Sequence, residues 1–418
     1  MLVAMFDKLM CDIIRSGRLT VIYPDGIEKS YGAIPHDNPS LDVAMRLHKP
    51  GTGMKLMANP YLHFGEAIMS GEVTVEQGSM WDLMDLLGRN LENLPPPTPW
   101  LKVWNRVTQA VTSHYDIAAS KRNVAHHYDL SDALYRTFLD DDLQYSCAYF
   151  RHPAMTLEEA QLAKKRHLIA KLDLEASQTV LDIGCGWGGL ALEIAKTEDV
   201  QVIGITLSKE QLEVARERAR AAGLDGRVRF ELIDYRELEG SFDRIISVGM
   251  FEHVGRTNFE TYFTQIKSLL SDEGVAIVHS IGRHRPNSAS NAWMRKYIFP
   301  GGYIPCLAEA TDATDKADLW VTDVEILRLH YAETLKAWRE RFLDNRGEMV
   351  ALYDERFCRM WEFYLVCCEM SFRHGDLMVF QMQLTKRVDT LPVTRDYMVD
   401  RERKLSGAAS EREAKIYA

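Results

Sequence analysis

The stretch Thr179-Val180-Leu181-Asp182-Ile183, running directly into Gly184-Cys185-Gly186-Trp187-Gly188-Gly189, constrains the fold of this chain more than any other. A short apolar run that empties into a glycine-rich turn and then a helix is the opening unit of a parallel sheet. The same rhythm continues. Val200 to Ile205, Val228 to Leu232, Phe242 to Val248 and Val275 to His279 have the composition of strands. Helical patterns from Gly189 to Lys196, from Lys209 to Ala222 and from Asn258 to Leu270 fall between them. Ser208 caps the second, with Gln211 beside the capping-box position. This order predicts an α/β fold with a doubly wound, mostly parallel sheet. Such sheets bind ligands at the carboxyl ends of their strands.

The loop itself narrows the ligand. Gly184, Gly186 and Gly189 satisfy GxGxxG, a weak signal shared by dinucleotide-binding enzymes and methyltransferases. A dinucleotide site needs an acidic residue at the end of the second strand to hold the ribose hydroxyls. Here that strand ends in Gly204-Ile205-Thr206, and an acid stands before the loop instead, at Asp182. The arrangement resembles the class I S-adenosylmethionine (SAM) methyltransferases, whose loop has no pyrophosphate to cradle and whose glycines let the backbone approach the ligand closely. The bland alternative is a tight turn with no ligand.

Around this unit the chain divides into three parts. Four prolines between Pro95 and Pro99 interrupt any helix or central strand and mark a boundary. Residues 1–105 are read as a smaller N-terminal α+β domain, with a strand at Leu19 to Tyr23, a turn at Pro24-Asp25-Gly26 and a helix from Met80 to Leu91. Residues 106–390 form the larger domain. Phe357, Trp361, Tyr364, Leu365, Cys368 and Phe372 follow helical spacing as a buried face, and Val379 to Leu384 alternates like a late strand. Residues 391–418 are a charged tail.

With 50 Lys and Arg against 60 Asp and Glu, the net charge of −10 argues against a nucleic-acid partner. The seven cysteines, without paired metal-ligand spacing, are expected to be reduced thiols of a cytoplasmic protein with no metal site. No stretch of about 18 apolar residues predicts a membrane span, and residues 1–11 lack the pattern of a signal peptide.

Three runs carry a more specific likeness: Tyr145-Ser146-Cys147-Ala148-Tyr149-Phe150, the loop from Leu181 to Gly189, and Ser247-Val248-Gly249-Met250-Phe251-Glu252-His253-Val254-Gly255. His127-Tyr128-Asp129-Leu130 precedes them. Thr206-Leu207-Ser208, Asp234-Tyr235-Arg236, His279-Ser280-Ile281-Gly282, Ile298-Phe299-Pro300-Gly301, and His330-Tyr331 with Trp338 complete the order. With these motifs the chain resembles the cyclopropane-fatty-acyl-phospholipid synthase family. The likeness is dense over residues 120–390 and looser over 60–90. Mycolic acid cyclopropane synthases are close relatives, but they usually carry Trp where Tyr235 stands and lack an N-terminal part of this length. The phospholipid-acting branch is therefore the nearer likeness.

The resemblance implies a seven-stranded sheet of the SAM-methyltransferase type. It also implies transfer of a methylene from SAM across a cis double bond of an unsaturated phospholipid acyl chain. A carbocation forms in the acyl chain and loses a proton to bound bicarbonate. The family's bicarbonate positions correspond to Cys147, Glu252, His279, Ile281 and Tyr331. Its SAM positions correspond to Tyr128, Tyr145, Ser146, Gly184, Gly186, Gly188, Thr206, Gln211, Asp234, Tyr235 and Arg236, with Gly188 serving the turn and Tyr235 packing beside the adenine. The expected partners are the bilayer surface, at the inner face of the cell membrane, and a second subunit in a homodimer. Residues 1–105 are expected to dock one or the other. Trp293, Met294, Tyr297, Ile298 and Phe299 read either as the mouth of a lipid pocket, with Arg295 and Lys296 meeting headgroups, or as an ordinary amphipathic helix. Two rival functions remain at this level. One is a SAM-dependent lipid methyltransferase that leaves a branched methyl chain. The other is a lipid-binding protein on an inactive methyltransferase fold.

Overall fold

The structure is a computed structural model that describes residues 2–35, 41–93, 132–286, 291–300 and 302–407. The chain divides into two compact units. One comprises Met1–Ala110, Ala289–Pro300 and Leu335–Leu377; the other comprises Val111–Ser288, Gly301–Thr334 and Met378–Ala418. The division is discontinuous in sequence, unlike the continuous one drawn above, and the proline cluster lies outside the described residues.

The first unit is built on a four-stranded sheet of β1 (Gly17–Ile22), β2 (Glu28–Ala33), β3 (Asp42–Leu47) and β4 (Val73–Gln77), in the order β2-β1-β3-β4. The β1–β2 and β3–β4 pairs are antiparallel and β1–β3 is parallel. Leu19 and Val21 of β1 are fully buried. The helix Met80–Arg89 starts in a capping box between Ser79 and Asp82. Distant segments complete this core. A Cβ added at Gly65 would lie 2.5 Å from the Trp293 indole, so only glycine lets the helix Pro60–Met69 approach it. The helix Glu355–Arg373 buries Trp361, Tyr364, Leu365 and Phe372, most of the face that its spacing predicts.

The second unit carries β5 (Thr179–Ile183), β6 (Gln201–Thr206), β7 (Val228–Leu232), β8 (Phe242–Val248), β9 (Leu270–Arg283), β10 (Trp320–Ile326) and β11 (Leu377–Thr385). They form a seven-stranded sheet in the order β10-β11-β9-β8-β5-β6-β7. The pairs β5–β6, β5–β8, β6–β7 and β8–β9 are parallel, and β10–β11 is antiparallel. Side chains alternate between faces as strand geometry requires. Leu181, Ile183, Ile245, Ala276 and Val278 pack on one side, with the helices Phe259–Leu269 and Leu307–Lys316. Val180, Val202, Val228, Ile246 and Ile277 pack on the other, with the helices Leu157–Leu172, Gly189–Thr197 and Lys209–Ala221. The doubly wound expectation holds.

β10 escaped the sequence reading. It is an edge strand with an exposed Trp320 and Val321, so it lacks a buried stripe. The charged C-terminal stretch includes a helix, Asp396–Ser406. Arg401 fastens it to Asp173 at 2.9 Å, and Tyr397 accepts from Gln383 at 2.7 Å.

Candidate active site

Every described candidate residue that follows β5, β6, β7 or β8 lies at or just past the carboxyl end of its strand, where an open α/β sheet presents ligands. The glycines of the first turn divide into two groups. Gly184 and Gly186 adopt φ of +81° and +54°, which only glycine adopts without cost, and a Cβ at Gly186 would meet nothing within 4 Å. They leave an open backbone. Gly188 and Gly189 are packed instead: a Cβ at Gly188 would lie 2.6 Å from Phe230, and one at Gly189 would overlap Asp142 Oδ2. Gly188 therefore serves the turn. Asp182 points to the opposite face from Leu181 and Ile183 and is almost fully buried. Burial raises its pKa to about 7, against the pull of Lys164.

At the end of β6, Thr206 Oγ donates to Gln211 Oε1 at 3.1 Å, and the Ser208 hydroxyl caps the next helix by accepting from the Gln211 amide at 3.3 Å. After β7, Arg236 grips Asp234 through two bonds of 2.8 Å. The Asp234 carboxylate is thus held by its neighbour. Arg236 also lies over the Tyr235 ring, with Cζ at 5.5 Å, and Tyr262 meets that ring edge-on at 5.4 Å. Tyr235 is held as a fixed aromatic wall. Tyr145 packs edge-on against Tyr135 at 5.4 Å, and Ser146 Oγ accepts from Lys164 at 2.8 Å. Tyr128 lies outside the described residues.

The second group gathers where β8 and β9 end. Val248 pairs with His279, and the Gly249 amide donates to the His279 carbonyl at 2.9 Å. Glu252 follows in a short 3₁₀ turn, Phe251–His253. Its Oε1 accepts the Ile281 amide at 2.5 Å, so Ile281 N–H, expected to face an anion, serves the carboxylate in this structure. Glu252 Oε2 is buried and has no hydrogen-bond partner among the described residues. Burial raises the Glu252 pKa to about 7, with the Ile281 amide and the nearby Ser280 side chain working against that rise. His279 is held well below the ordinary histidine value by burial and by Lys164, Lys171 and His167, and is neutral.

Burial also raises the Cys147 thiol pKa, with Lys164 opposing, which removes it as a nucleophile. The segment carrying it is fastened to the first turn of the helix His330–Asp344. Ala148 N–H donates to Thr334 Oγ at 3.0 Å, and Phe150 N–H donates to His330 Nδ1 at 3.0 Å. His330 also stacks on Tyr149 at 5.0 Å. These duties make His330 a packing residue and leave Tyr331, itself buried, as the site candidate of the pair.

The segment offered as a pocket mouth lies in the first unit. Trp293 is 1% exposed, and its Nε1 lies 3.1 Å from Met69 Sδ; Lys296 is paired with Glu66 at 2.6 Å. These contacts fit the amphipathic-helix reading and leave Lys296 already neutralised.

Sequence reasoning missed the helix Leu157–Leu172. Its Lys164, Lys165, His167 and Lys171 are all buried. Lys164 Nζ donates to Gln144 Oε1 at 2.6 Å as well as to Ser146, and burial lowers its pKa to about 8. Lys165 pairs with Asp142 at 2.6 Å, and Lys171 with Glu325. The acidic partners are scattered between residues 140 and 402, so no local spacing revealed them.

The family model described as mycolic acid cyclopropane synthetase matches residues 110–382, and a domain family of unknown function matches residues 5–94. A probable fatty acid methyltransferase of Pseudomonas putida is 41% identical over 68% of this chain and 75% of its own length. The cyclopropane-fatty-acyl-phospholipid synthase of Escherichia coli strain K12 is 37% identical over 84% of this chain and 90% of its own. Among solved structures, the mycolic acid cyclopropane synthase CmaA1 in complex with SAH and CTAB matches with a TM-score of 0.60 and 34% identity. That match covers 63% of this chain and 97% of CmaA1. No helix among the described residues is long and apolar enough to cross a membrane. The match over most of the second unit, together with the sheet order and the residues at its carboxyl edge, shows that the chain belongs to the mycolic acid cyclopropane synthetase family of SAM-dependent enzymes.

Proposed function

We propose that this enzyme adds a methylene from SAM across a cis double bond of an unsaturated phospholipid acyl chain, with bicarbonate as the proton acceptor. The observation that carries the reading is Glu252. Its Oε1 is committed to the Ile281 amide, while its Oε2 is buried and unpartnered at the end of β8, beside the strand that carries His279. A buried carboxylate oxygen without a partner costs about 1–3 kcal/mol unless a ligand satisfies it. A hydroxyl donor such as that of bicarbonate fits it. Bound there, bicarbonate supplies the base for the reaction.

The chain's own residues supply the rest. The open backbone at Gly184 and Gly186, the Thr206–Gln211 pair and the Tyr235 wall would hold SAM. The alkene attacks the sulfonium methyl, the S–CH3 bond breaks, and S-adenosylhomocysteine leaves as a neutral thioether. The acyl chain then carries a cation. Loss of a proton from the new methyl frees the C–H electron pair to close the ring. Glu252 would hold the anion's hydroxyl, and neutral His279 with Tyr331 would donate to its oxygens. A held anion at about 4 Å favours the cation by roughly 4 kcal/mol at an effective dielectric of 20. The Tyr331 face adds about 0.5–2 kcal/mol.

The E. coli relative supports a phospholipid substrate, and the P. putida relative's name keeps one rival alive, a methyl branch formed without ring closure. In the same reading the enzyme is cytoplasmic, works at the inner face of the membrane as a homodimer, and uses residues 1–105 for docking. The deciding experiment is incubation with SAM, bicarbonate and vesicles of monounsaturated phosphatidylethanolamine and phosphatidylglycerol, followed by acyl-chain mass and NMR analysis. Cyclopropane protons with a gain of one CH2 are expected. A methyl-branched product lacking them rejects ring closure, and no modified chain at all rejects the substrate class.

A further inference from the structure

The face of the sheet beneath the helix Leu157–Leu172 carries a row of polar side chains that the proposed reaction does not use. Glu325 on β10 stands opposite Gln381 on β11, and β11 lies beside β9, which carries His279. Gln381 is 1% exposed and His279 2%. The side-chain amide of Gln381 has two different neighbours: Lys171 Nζ at 2.7 Å from Oε1, and His279 Nδ1 at 3.2 Å from Nε2. Lys171 is a donor only, so the oxygen of the amide must face it. The NH2 group then faces His279, and Nδ1 can only accept. A neutral imidazole that accepts at Nδ1 carries its proton on Nε2. Lys171 is itself held: Glu325 accepts from it, and its carbonyl accepts from Gln383 Nε2 at 2.7 Å.

We propose that Gln381 is a positioning residue that fixes His279 as the Nε2–H tautomer, with Lys171 setting the direction of the Gln381 amide. This deepens the reading above, in which neutral His279 donates a hydrogen bond to the bound anion, and its catalytic consequence rests on that reading. The wrong tautomer would aim a lone pair at the anion. A buried donor that reverses in this way costs about 10²–10³ in turnover.

The test separates the two claims. Long-range 1H–15N spectra of the full chain labelled with 15N-histidine, with the His279 resonances assigned by their loss in His279→Gln, report the tautomer directly. The expected result is an unprotonated Nδ1 and a protonated Nε2; a protonated Nδ1 overturns the proposal whether or not a Gln381 variant folds. Gln381→Glu replaces the donor by an acceptor. It should move the proton to Nδ1 and lower kcat on the vesicles about 10²-fold or more, with the Kd for SAM unchanged. Retention of Nε2–H in a folded Gln381→Glu overturns the proposal. Inversion of the tautomer with unchanged kcat leaves Gln381's role standing and defeats the anion-donor reading of His279.

Discussion

At the scale of single residues, Glu252 sets a conflict between stability and function. Its pKa rises from the ordinary 4.5 to about 7, because burial penalises the carboxylate. A raised carboxyl pKa means that the folded state favours the protonated form. The associated stability is full below pH 4.5 and is lost as pH rises through 7. The difference, 7 − 4.5, corresponds to about 3 kcal/mol at most. Glu252→Gln keeps an oxygen for the Ile281 amide and removes the charge. It should therefore melt higher than the parent above pH 8 and about equally at pH 4.5, while turnover falls roughly 10²-fold. Equal melting temperatures at both pH values would contradict the burial argument; unchanged turnover would contradict the role of the carboxylate. The motif around Glu252 was legible in the sequence, as were the glycines of the first turn. Which oxygen of Glu252 is spoken for was not, because that depends on Ile281 arriving from the next strand. Asp234 shows the same limit: its position was legible, but the grip of Arg236 on it was not.

At the scale of elements, the strands of the central sheet were readable because burial on both faces leaves continuous apolar runs such as Val275 to Val278. The helix Leu157–Leu172 was not readable as buried, since its cations are neutralised by acids far away in sequence. His167 shows how this works. Burial pulls its pKa down, but hydrogen bonds to Glu325 at 2.6 Å and Glu402 at 2.9 Å outweigh that and raise it. Tyr149 stacks on the ring at 4.2 Å, and Lys171 lies close enough to oppose the charge. A raised histidine pKa gives stability that is complete below about 6.5 and is lost as pH rises through the folded value. Glu402 lies on the helix Asp396–Ser406, so this charge also pins the C-terminal helix to its neighbour. Glu402→Gln should cost about 1–3 kcal/mol at pH 6, a cost that shrinks as pH rises through the folded value of His167. Thermal melts of parent and variant over a pH series check this, and a deficit that does not change with pH would contradict the pairing of Glu402 with a titrating His167.

At the scale of the whole molecule, the discontinuous first unit changes what a deletion of residues 1–105 can report. CmaA1 matches over 97% of its own length but only 63% of this chain, so a family member manages without a counterpart to the rest. The same cut made here would remove the partners of residues that remain. Trp293 loses the close approach of Gly65 and the contact with Met69. His374 loses Asp85, which it meets at 2.7 Å, and the Arg359 guanidinium loses the Met69 carbonyl at 3.0 Å. Glu369, fully buried, loses the indole N–H of Trp81 at 3.1 Å and keeps Arg339 and Arg373. Exposing one large aromatic side chain costs about 1.5–3 kcal/mol, and each buried bond that loses its partner adds about 1–3 kcal/mol. Their sum is comparable to the stability of a whole domain. The truncated chain should therefore aggregate, or melt more than about 10 °C below the full chain, before any effect on vesicle binding can be read. Size-exclusion chromatography and calorimetry decide the matter. A monodisperse truncated chain that melts with the parent would mean that residues 289–300 and 335–377 need no N-terminal sheet, and the deletion would then become a clean test of membrane docking.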